Sequence, residues 1–353
     1  MITVSVVTGA RNEVRHLRTT AASVLAQTRG DWEWLLLDDA SDDGTAALID
    51  TLAGEDRRIR ALPNPCHLGL TATLNRGIAQ SRGRFIARLD AADLMDPRRL
   101  EQQVAFLETH PAVGVLGSTQ SGYVDGSGQP WGGQPARLPD GDAAIRWVAL
   151  LENPFLHSAV MFRRDLLDKV GLPGAGQDTT KSCYDESYLY SQDYELWTRL
   201  LAHTRGANLP EPLVTLRRDG RGLSETRGEA QRQAAWKVSA RALAALGVEA
   251  PPLAEWQALR ALRRHVPTTW DLRQPGRMTW LLQLWTRFRD AGGVDGADLH
   301  RLARELAEHL LATLPARQWP RHGRLLMRIA ALSPGAVPTQ MRQRLWRRWG
   351  GDS

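Results

Sequence analysis

The sequence predicts an α/β fold, in which helices cover both faces of a mostly parallel β-sheet, followed by an α-helical C-terminal extension. The first observation is that apolar segments of strand length alternate with segments of helical periodicity over residues 2–117. This alternation is typical of a parallel sheet. The second is that acidic clusters directly follow two of the predicted strands. The third is a change, from about residue 228, to helical segments separated by proline and glycine.

The elements of the first part of the chain follow in order. Strands are predicted at residues 2–8, 32–37, 59–62, 84–89 and 113–117. Helices are predicted between them, at residues 12–28, from near 41 to 52, at 69–81 and at 97–110. Val14, Leu17 and Ala21 share one face of the first of these helices, and Pro97 suits the first turn of the last.

The stretch that follows is less regular. Residues 118–141 are rich in Gly, Ser and Pro, which predicts a hairpin or loops. We predict helices at residues 142–151, 163–170 and 192–205, a flexible surface insertion at residues 171–183, and a last strand at residues 213–216.

The length and the charge distribution indicate two regions, residues 1–226 and residues 227–353. The first contains 24 Lys+Arg and 29 Asp+Glu, whereas the second contains 21 and 10. A basic region of this kind either faces an anionic partner, such as a phospholipid surface or nucleic acid, or is a solvated helical surface without a specific partner.

The tryptophans and cysteines narrow these alternatives. Eight of the 13 tryptophans lie after residue 228; most are predicted to pack between helices, with membrane-interface anchoring as the alternative. Because they lie within apolar helices, nucleic-acid binding is disfavoured. The two cysteines form neither a disulfide framework nor a metal cluster, which is typical of a reducing compartment. With no signal peptide and no apolar run of membrane-spanning length, we expect a cytoplasmic protein, with peripheral attachment to the inner face of a membrane as an option.

Three polar motifs are candidates for chemistry. Asp38 and Asp39 end the second strand, Asp90-Ala91-Ala92-Asp93 follows the fourth, and Gln192-Asp193 begins a predicted helix. Ligands of parallel sheets bind beyond the carboxyl ends of the strands. An aspartate there accepts hydrogen bonds from a nucleobase imide or a ribose hydroxyl, and paired carboxylates share a hard cation. The alternative for each motif is helix capping or turn formation, with Ser41 or Asp42 as the N-cap of the second helix.

Taken in order, these motifs resemble the family-2 glycosyltransferases of the Rossmann-like GT-A fold. The segments that carry the resemblance are residues 4–13, 35–45, 69–93, 153–164, 192–200 and 207–214. The resemblance implies a GT-A catalytic domain over residues 1–226 and an inverting enzyme. Such an enzyme moves a sugar from a nucleotide-diphosphate donor, preferably UDP-linked, to a hydroxyl of a glycan or lipid-linked acceptor in surface polysaccharide synthesis.

The resemblance also implies roles for individual residues. Asp193 is expected to be the general base, with His157 and Gln192 beside the donor sugar and acceptor. Trp197 is expected in the core. The residues implied for the nucleotide pocket are Thr8, Ala10, Asn12, Glu13, Asp38, Asp39, Asp90 and Ala91.

Two positions depart from the family. Ala92 replaces the aspartate that is the main metal ligand, and Asp219 replaces a downstream histidine that reaches the metal. Either Asp93 and Asp219 hold Mn²⁺ or Mg²⁺ in a rearranged site, or arginines neutralise the diphosphate without a metal; the candidate arginines are Arg217, Arg218 and Arg221. The third option is a nucleotide-sugar-binding protein that has lost much of its rate and has a membrane- or partner-binding tail. We favour a working enzyme with altered metal use.

Overall fold

The computed structural model describes residues 2–131, 137–171, 182–218, 228–263, 275–313 and 331–332. By their contacts the residues divide into two compact units. The first is Met1–Asp140 with Glu152–Val238, and the second is Gly141–Leu151 with Ser239–Ser353. The second unit therefore includes a segment from within the sheet-forming part of the chain. The division into regions at residue 226 stays a prediction.

The first unit contains the β-sheet. Its strands are β1 (Val4–Ala10), β2 (Trp32–Asp38), β3 (Ile59–Pro63), β4 (Phe85–Arg88), β5 (Leu94–Met95), β6 (Val113–Val124), β7 (Pro130–Trp131), β8 (Met161–Arg163) and β9 (Arg205–Arg217). They are ordered β3-β2-β1-β4-β8-β6-β9-β5, and β7 pairs with β6.

The helices are named in chain order. They are α1 (Val14–Leu25), α2 (Thr45–Glu55), α3 (Leu70–Ala79), α4 (Arg99–Thr109), α5 (Asp142–Ala149), α6 (Leu167–Val170), α7 (Gln192–Leu201), α8 (Gly228–Ala245), α9 (Leu253–Arg263), α10 (Pro275–Asp290) and α11 (Gly296–Thr313). Short 3₁₀ turns cover His157–Ala159 and Arg164–Leu166.

Strands β3, β2, β1 and β4 are parallel, so their carboxyl ends meet at one edge of the sheet. Ala10 lies opposite Asp38, and Val7 lies opposite Arg88. The α/β class is confirmed, but the sheet is mixed, because β8 runs antiparallel to both β4 and β6. An antiparallel strand can be entered from a loop without a crossover helix, which fits the short turn that precedes β8.

Helices cover both faces of this sheet, as predicted. On one face, Val4 and Val6 of β1 share a buried core with Leu17 of α1 and with residues of α2 and α4. On the other face, α3 lies close to β1 and β2. A Cβ at Gly77 would lie 2.7 Å from Leu37 Cδ1 and 2.8 Å from Val7 Cγ1, so glycine is required for this approach.

Strands β6 and β9 are much longer than the sequence predicts. They pair in parallel from Val113 to Val124, with several register shifts. The Gly- and Ser-rich start of the predicted loop region is therefore strand, because pairing satisfies its backbone despite weak β-propensity. The hairpin prediction is confirmed where β7 pairs with β6. The helix predicted at residues 163–170 is reduced to α6 and the 3₁₀ turn before it.

The described elements of the second unit are helices. Trp147 of α5 makes edge contacts with Trp285 and Phe288 of α10, with ring centroids 5.7 and 5.4 Å apart. Trp256 is fully buried, and its indole N–H donates to Ser239 Oγ at 2.9 Å. The packing role predicted for the tryptophans is thus confirmed at Trp256 and Trp285. Across the described helices, none combines the length and the apolar character needed to cross a bilayer.

Candidate functional site

The carboxyl edge of the sheet contains unusual backbone conformations. Among the described residues, three non-glycine residues have a left-handed φ: Asn12 at 59°, Ala40 at 55° and Ser191 at 56°. They follow β1, follow β2 and precede α7, respectively. Such conformations persist only where the surrounding structure imposes them, and they cluster at functional sites. The edge predicted to bind a ligand therefore contains all three.

The loops after β1 and β2 are bound to each other. The Asn12 backbone N–H donates to Ser41 Oγ at 3.0 Å, and Asn12 Oδ1 accepts the Asp42 N–H at 3.0 Å. The half-buried Glu13 donates its N–H to Thr45 Oγ1 at 2.8 Å. Neither Ser41 nor Asp42 caps α2, so that prediction is wrong: α2 begins at Thr45, after a left-handed Gly44.

Asp38 ends β2 with a carboxylate oxygen that has no partner. The residue is only 5% exposed. Its Oδ2 accepts the Ser41 N–H at 3.2 Å, whereas its buried Oδ1 has no hydrogen bond from any described residue. A buried acceptor without a donor is costly. The atom is enclosed by the protein in this conformation, so a ligand N–H or O–H could reach it only if its surroundings move; the base or ribose contact of Asp38 stays a prediction.

Asp39 is engaged in holding the loop at residues 64–69. Its oxygens accept from Asn64 Nδ2 and the Leu68 N–H at 2.8 Å each, and from the Gly69 N–H at 3.0 Å. His67 Nδ1 lies 2.8 Å from its Oδ2. Burial acts to raise the pKa of Asp39, but these donors outweigh it and hold the pKa below its ordinary value. Asp39 is therefore an ionised anchor, and the nucleotide contact suggested for it stays a prediction.

Three other predicted pocket residues are built into the framework. Thr8 is fully buried, and its Oγ1 accepts the Trp34 indole N–H at 2.9 Å. Ala10 and Ala91 are buried, and the Ala91 carbonyl accepts from Thr20 Oγ1 at 2.8 Å. The Thr8 side chain is therefore packed against Trp34, which leaves its backbone for the predicted nucleotide pocket; that role of Thr8 stays a prediction. Ala10 and Ala91 contribute backbone to the edge.

Arg88, at the end of β4, is a buried cation that the sequence motifs did not identify. Its side chain is 1% exposed, while the Asp90 side chain that it pairs with is 43% exposed. The guanidinium also donates to the Val7 carbonyl at 2.8 Å and to His157 Nε2 at 3.2 Å. The signal that was available is an arginine between Ala87 and Leu89 in an apolar strand. Such a buried charge requires partners, and here they are functional candidates.

His157 links this cation to the predicted base. Burial and the neighbouring Arg88 lower the pKa of His157, against smaller opposing effects of Asp193 and Asp90. Since arginine only donates, Nε2 is the acceptor and the ring is neutral. The Tyr184 hydroxyl lies 3.0 Å from the same nitrogen, and burial raises the pKa of Tyr184, so it remains a phenol.

Asp193 lies in the first turn of α7 and is half-buried. Its Oδ2 accepts from Asn153 Nδ2 at 2.7 Å. The simple N-cap alternative is wrong, because Ser191 occupies that position. The charges of Asp90 and Asp193 both act on His157 and Tyr184, and we refer to these four side chains as the cluster. Hydrogen bonds through Arg88 connect Asp90, His157 and Tyr184, whereas Asp193 acts on the others through its charge.

The structure thus brings the sequence motifs to one edge. Asp38 and Asp90 follow the two neighbours of β1, which places their backbones about 10 Å apart. Asp90 shares its cluster with Asp193. Gln192 is buried at the start of α7, and the predicted core role of Trp197 is confirmed by its full burial.

The acidic motif does not fit the predicted cation. Asp90 is paired with Arg88, Ala92 has no side-chain ligand atom, and the Ala92 carbonyl accepts from Arg217 Nε. Asp93 is buried; burial and the neighbouring Asp90 raise its pKa to about 7. Its Oδ1 accepts the Arg217 N–H at 2.9 Å. Nowhere in the described part of the chain do three or more His, Cys, Asp or Glu side chains form a group able to hold a metal.

Of the arginines predicted to neutralise the diphosphate, Arg217 and Arg218 lie among the described residues. Arg217 is held by the Ala92 carbonyl at 3.0 Å and the Asp125 carbonyl at 2.7 Å. The Arg218 guanidinium lies 4.0 Å from the centroid of the Tyr123 ring. Asp219 and Arg221 lie outside the described residues.

Comparison with known sequences gives consistent matches. The signature described as Glycosyl transferase family 2 matches residues 5–171. EpsE of Bacillus subtilis (strain 168), provisionally described as a glycosyltransferase, is 33% identical over 219 residues, covering 61% of this chain and 73% of its own. The amylovoran biosynthesis glycosyltransferase AmsE of Erwinia amylovora is 32% identical over 168 residues, covering 47% and 57%.

Solved structures show the same fold at low identity. TarS residues 1–349 of S. aureus, in complex with UDP-GlcNAc, matches with a TM-score of 0.55 and 13% identity, covering 99% of this chain and 92% of that one. The mannosyltransferase PcManGT of Pyrobaculum calidifontis, in complex with GDP-Man and Mn²⁺, matches with a TM-score of 0.51 and 17% identity, covering 99% and 88%.

Proposed function

Because this chain belongs to glycosyl transferase family 2, we propose that its carboxyl-edge site transfers a sugar from a nucleotide-diphosphate donor with inversion. The observation that carries the proposal is the hydrogen-bonded series of Asp90, Arg88 and His157 at the end of β4, with the charge of Asp193 acting on His157 and with Asp38 at the same edge of the sheet. At this edge Asp38 offers a hydrogen-bond acceptor to the nucleotide, and Asp193 offers a base to the hydroxyl of the sugar acceptor.

The donor is bound at the ends of β1 and β2. Asp38 Oδ1 accepts a hydrogen bond from the imide N–H of a uracil base or from a ribose hydroxyl. The edge loops are fixed by their mutual hydrogen bonds, so little ordering is needed when the nucleotide binds. A UDP-sugar is the favoured donor, on the family resemblance and on the UDP-GlcNAc in the TarS structure.

In the chemical step, Asp193 acts as the general base. The acceptor oxygen attacks the anomeric carbon from the face opposite the diphosphate, while the bond from that carbon to the phosphate oxygen breaks. The hydroxyl proton passes to Asp193, and the bonding pair leaves with the nucleoside diphosphate. An α-linked donor then gives a β-linked product. His157, neutral and held by Arg88, borders the reacting sugar without competing for the proton.

The negative charge of the leaving diphosphate requires compensation. A bound Mn²⁺ or Mg²⁺ would supply Lewis acidity for this, but the acidic motif lacks a fitting ligand set, and no step is assigned to a cation. We place the compensation in the arginine-containing segment that starts at Arg217 and Arg218.

The acceptor is proposed to be a growing surface polysaccharide or another lipid-linked glycan. The name of the relative AmsE, from amylovoran biosynthesis, supports a polysaccharide. The basic C-terminal helices are proposed to attach the protein to an anionic membrane at its cytoplasmic face. Co-sedimentation of the full chain with vesicles, with and without anionic lipid, tests this attachment; binding without dependence on anionic lipid or salt would contradict it.

Transfer from UDP-sugars tests the main proposal. Wild-type protein is incubated with UDP-sugars and acceptor extracts, in Mn²⁺, Mg²⁺ and chelator, and UDP release is measured alongside UDP affinity. We expect turnover that Asp193→Asn abolishes. The second candidate, a nucleotide-sugar binder without turnover, is favoured by Ala92 and Asp219, which replace the family's two metal-linked residues. UDP binding with no release under any condition would select it.

A further inference from the structure

We propose that Asn153 is a positioning residue for the base, because its amide fixes the orientation of the Asp193 carboxylate. This inference rests on the proposed role of Asp193 in transfer. Asn153 lies in the loop between α5 and the 3₁₀ turn that contains His157. Among the described residues it provides the one side-chain hydrogen bond to Asp193, at 2.7 Å from Oδ2.

The direction of this hydrogen bond is determined by the other end of the amide. Asn153 Oδ1 accepts the Phe155 backbone N–H at 3.1 Å. The carbonyl oxygen of the amide is therefore turned away from the carboxylate, and its NH₂ group faces Asp193. A reversed amide would set two acceptors against each other and leave a backbone N–H facing an NH₂ group. The NH₂ group of Asn153 is thus oriented toward Asp193 before any substrate binds.

The loop and the base are also held by the same core. Phe155 is buried and packs edge-on against Trp197, with ring centroids 6.0 Å apart. Trp197 lies on α7, the helix that carries Asp193. Asn153 and Asp193 are therefore attached to one packed unit on both sides of their hydrogen bond. Rotation of the carboxylate requires breaking that bond.

The two carboxylate oxygens of Asp193 therefore have different roles in catalysis. With Oδ2 occupied, Oδ1 is left for the acceptor hydroxyl, since no described residue bonds to it. Displacements of about 1 Å at a reacting group cost on the order of 100-fold in rate.

Asn153→Asp and Asn153→Ala test this inference, with Asn208→Asp as the matched control. Asn208 donates to the Pro139 and Pro154 carbonyls at 3.1 and 3.2 Å, so its replacement disturbs the same loop without touching the base. Steady-state kinetics are measured at one pH for all variants. For Asn153→Ala we expect kcat to fall about 10- to 100-fold with the donor KM nearly unchanged. For Asn153→Asp, which sets an acceptor instead of a donor against Oδ2, we expect kcat to fall at least as far, again with the donor KM nearly unchanged.

Two results would overturn the inference. One is an Asn153→Ala variant with kcat within twofold of wild type. The other is an Asn208→Asp variant whose kcat falls as far as that of Asn153→Asp, since a merely structural effect would then be sufficient.

A readout without turnover separates this inference from the proposed function. The Asp193 carboxyl carbon is identified by ¹³C NMR from its loss in Asp193→Asn, and its chemical shift is compared among wild type, Asn153→Ala and Asn208→Asp. We expect the chemical shift to change in Asn153→Ala, which loses the hydrogen bond to Oδ2, and to stay unchanged in Asn208→Asp. If wild type shows no turnover, the proposed function fails, while the NMR comparison still decides whether Asn153 controls this carboxylate. An unchanged chemical shift in Asn153→Ala would refute that control.

Discussion

Replacing the proposed base, Asp193, by asparagine tests its role in catalysis more sharply than any other single substitution. In Asp193→Asn, the side-chain oxygen can still accept the Asn153 hydrogen bond that Oδ2 now accepts at 2.7 Å. The NH₂ group then takes the position of Oδ1, where it donates and cannot receive a proton. The Asp193→Asn variant therefore keeps the hydrogen-bonded geometry of the side chain but cannot take up the proton of the acceptor hydroxyl.

The size of the effect follows from this chemistry. Removing a general base costs on the order of 10²- to 10⁴-fold, equivalent to about 3–5 kcal/mol of transition-state stabilisation. Donor binding involves Asp38 on a different strand end, so we expect the UDP dissociation constant to stay within about twofold. Because Asp193 is half-buried and keeps its hydrogen bond, the free energy of unfolding should change by less than about 1 kcal/mol.

The assay combines UDP release under single-turnover conditions with calorimetric titration of UDP. Asp185→Asn is the control, because Asp185 lies eight residues before Asp193 and its carboxylate accepts only from the Ser187 N–H and hydroxyl among the described groups. The control should retain wild-type rate. If Asp193→Asn loses UDP affinity to the same extent as rate, or keeps its rate within tenfold of wild type, the assigned role is incorrect.

Three further predictions concern the edge and its support. Asp38→Ala should weaken UDP binding about 10-fold or more in calorimetry, because its unpartnered oxygen supplies the nucleotide contact; unchanged affinity would refute that contact. Asp93→Asn should stabilise the protein at pH 8 by up to about 4 kcal/mol in urea unfolding, since the folded-state pKa of about 7 exceeds the ordinary value of 3.8 by about 3 and a difference of one corresponds to about 1.4 kcal/mol. Stability from protonated Asp93 is present below pH 3.8 and is lost as pH rises through 7, so the gain should vanish near pH 4; a pH-independent difference would contradict this. Gly77→Ala should destabilise by about 1–3 kcal/mol through its contacts with Leu37 and Val7, and an unchanged melting temperature would argue against the close approach of α3.

The parts of the fold set by local pattern were predictable from sequence. Strands β1, β2 and β4 and helices α1 and α3 occur within a few residues of their predicted positions, because period and burial agree there. The length of β6 and β9 was not predictable, since it depends on pairing between segments about 90 residues apart. The grouping of α5 with the C-terminal helices is likewise a matter of tertiary packing that a helical pattern does not encode.

The sequence predicts the aspartates of the site but not the residues that hydrogen-bond to them. The strand-end rule placed Asp38 and Asp90 at one edge. Asp38 and Asp39 have different hydrogen-bond partners, because successive side chains along a strand point to opposite faces of the sheet. Asn153 begins one of the segments that carry the resemblance but has no role implied by it, and Tyr184 lies in none of those segments. Their partners appear only when α7 is packed beside the 3₁₀ turn. Asp193 was identified through the family resemblance, and its environment through the structure.

A crystal structure of the full chain with UDP bound tests the central claim most directly. The account predicts that the uracil imide or the ribose lies within hydrogen-bonding distance of Asp38 Oδ1. It also predicts that the diphosphate lies beside Asp90, with Asp193 Oδ1 facing the space next to it. A UDP molecule bound away from the carboxyl edge, or one that leaves Asp38 and Asp193 on separate surfaces, would contradict it.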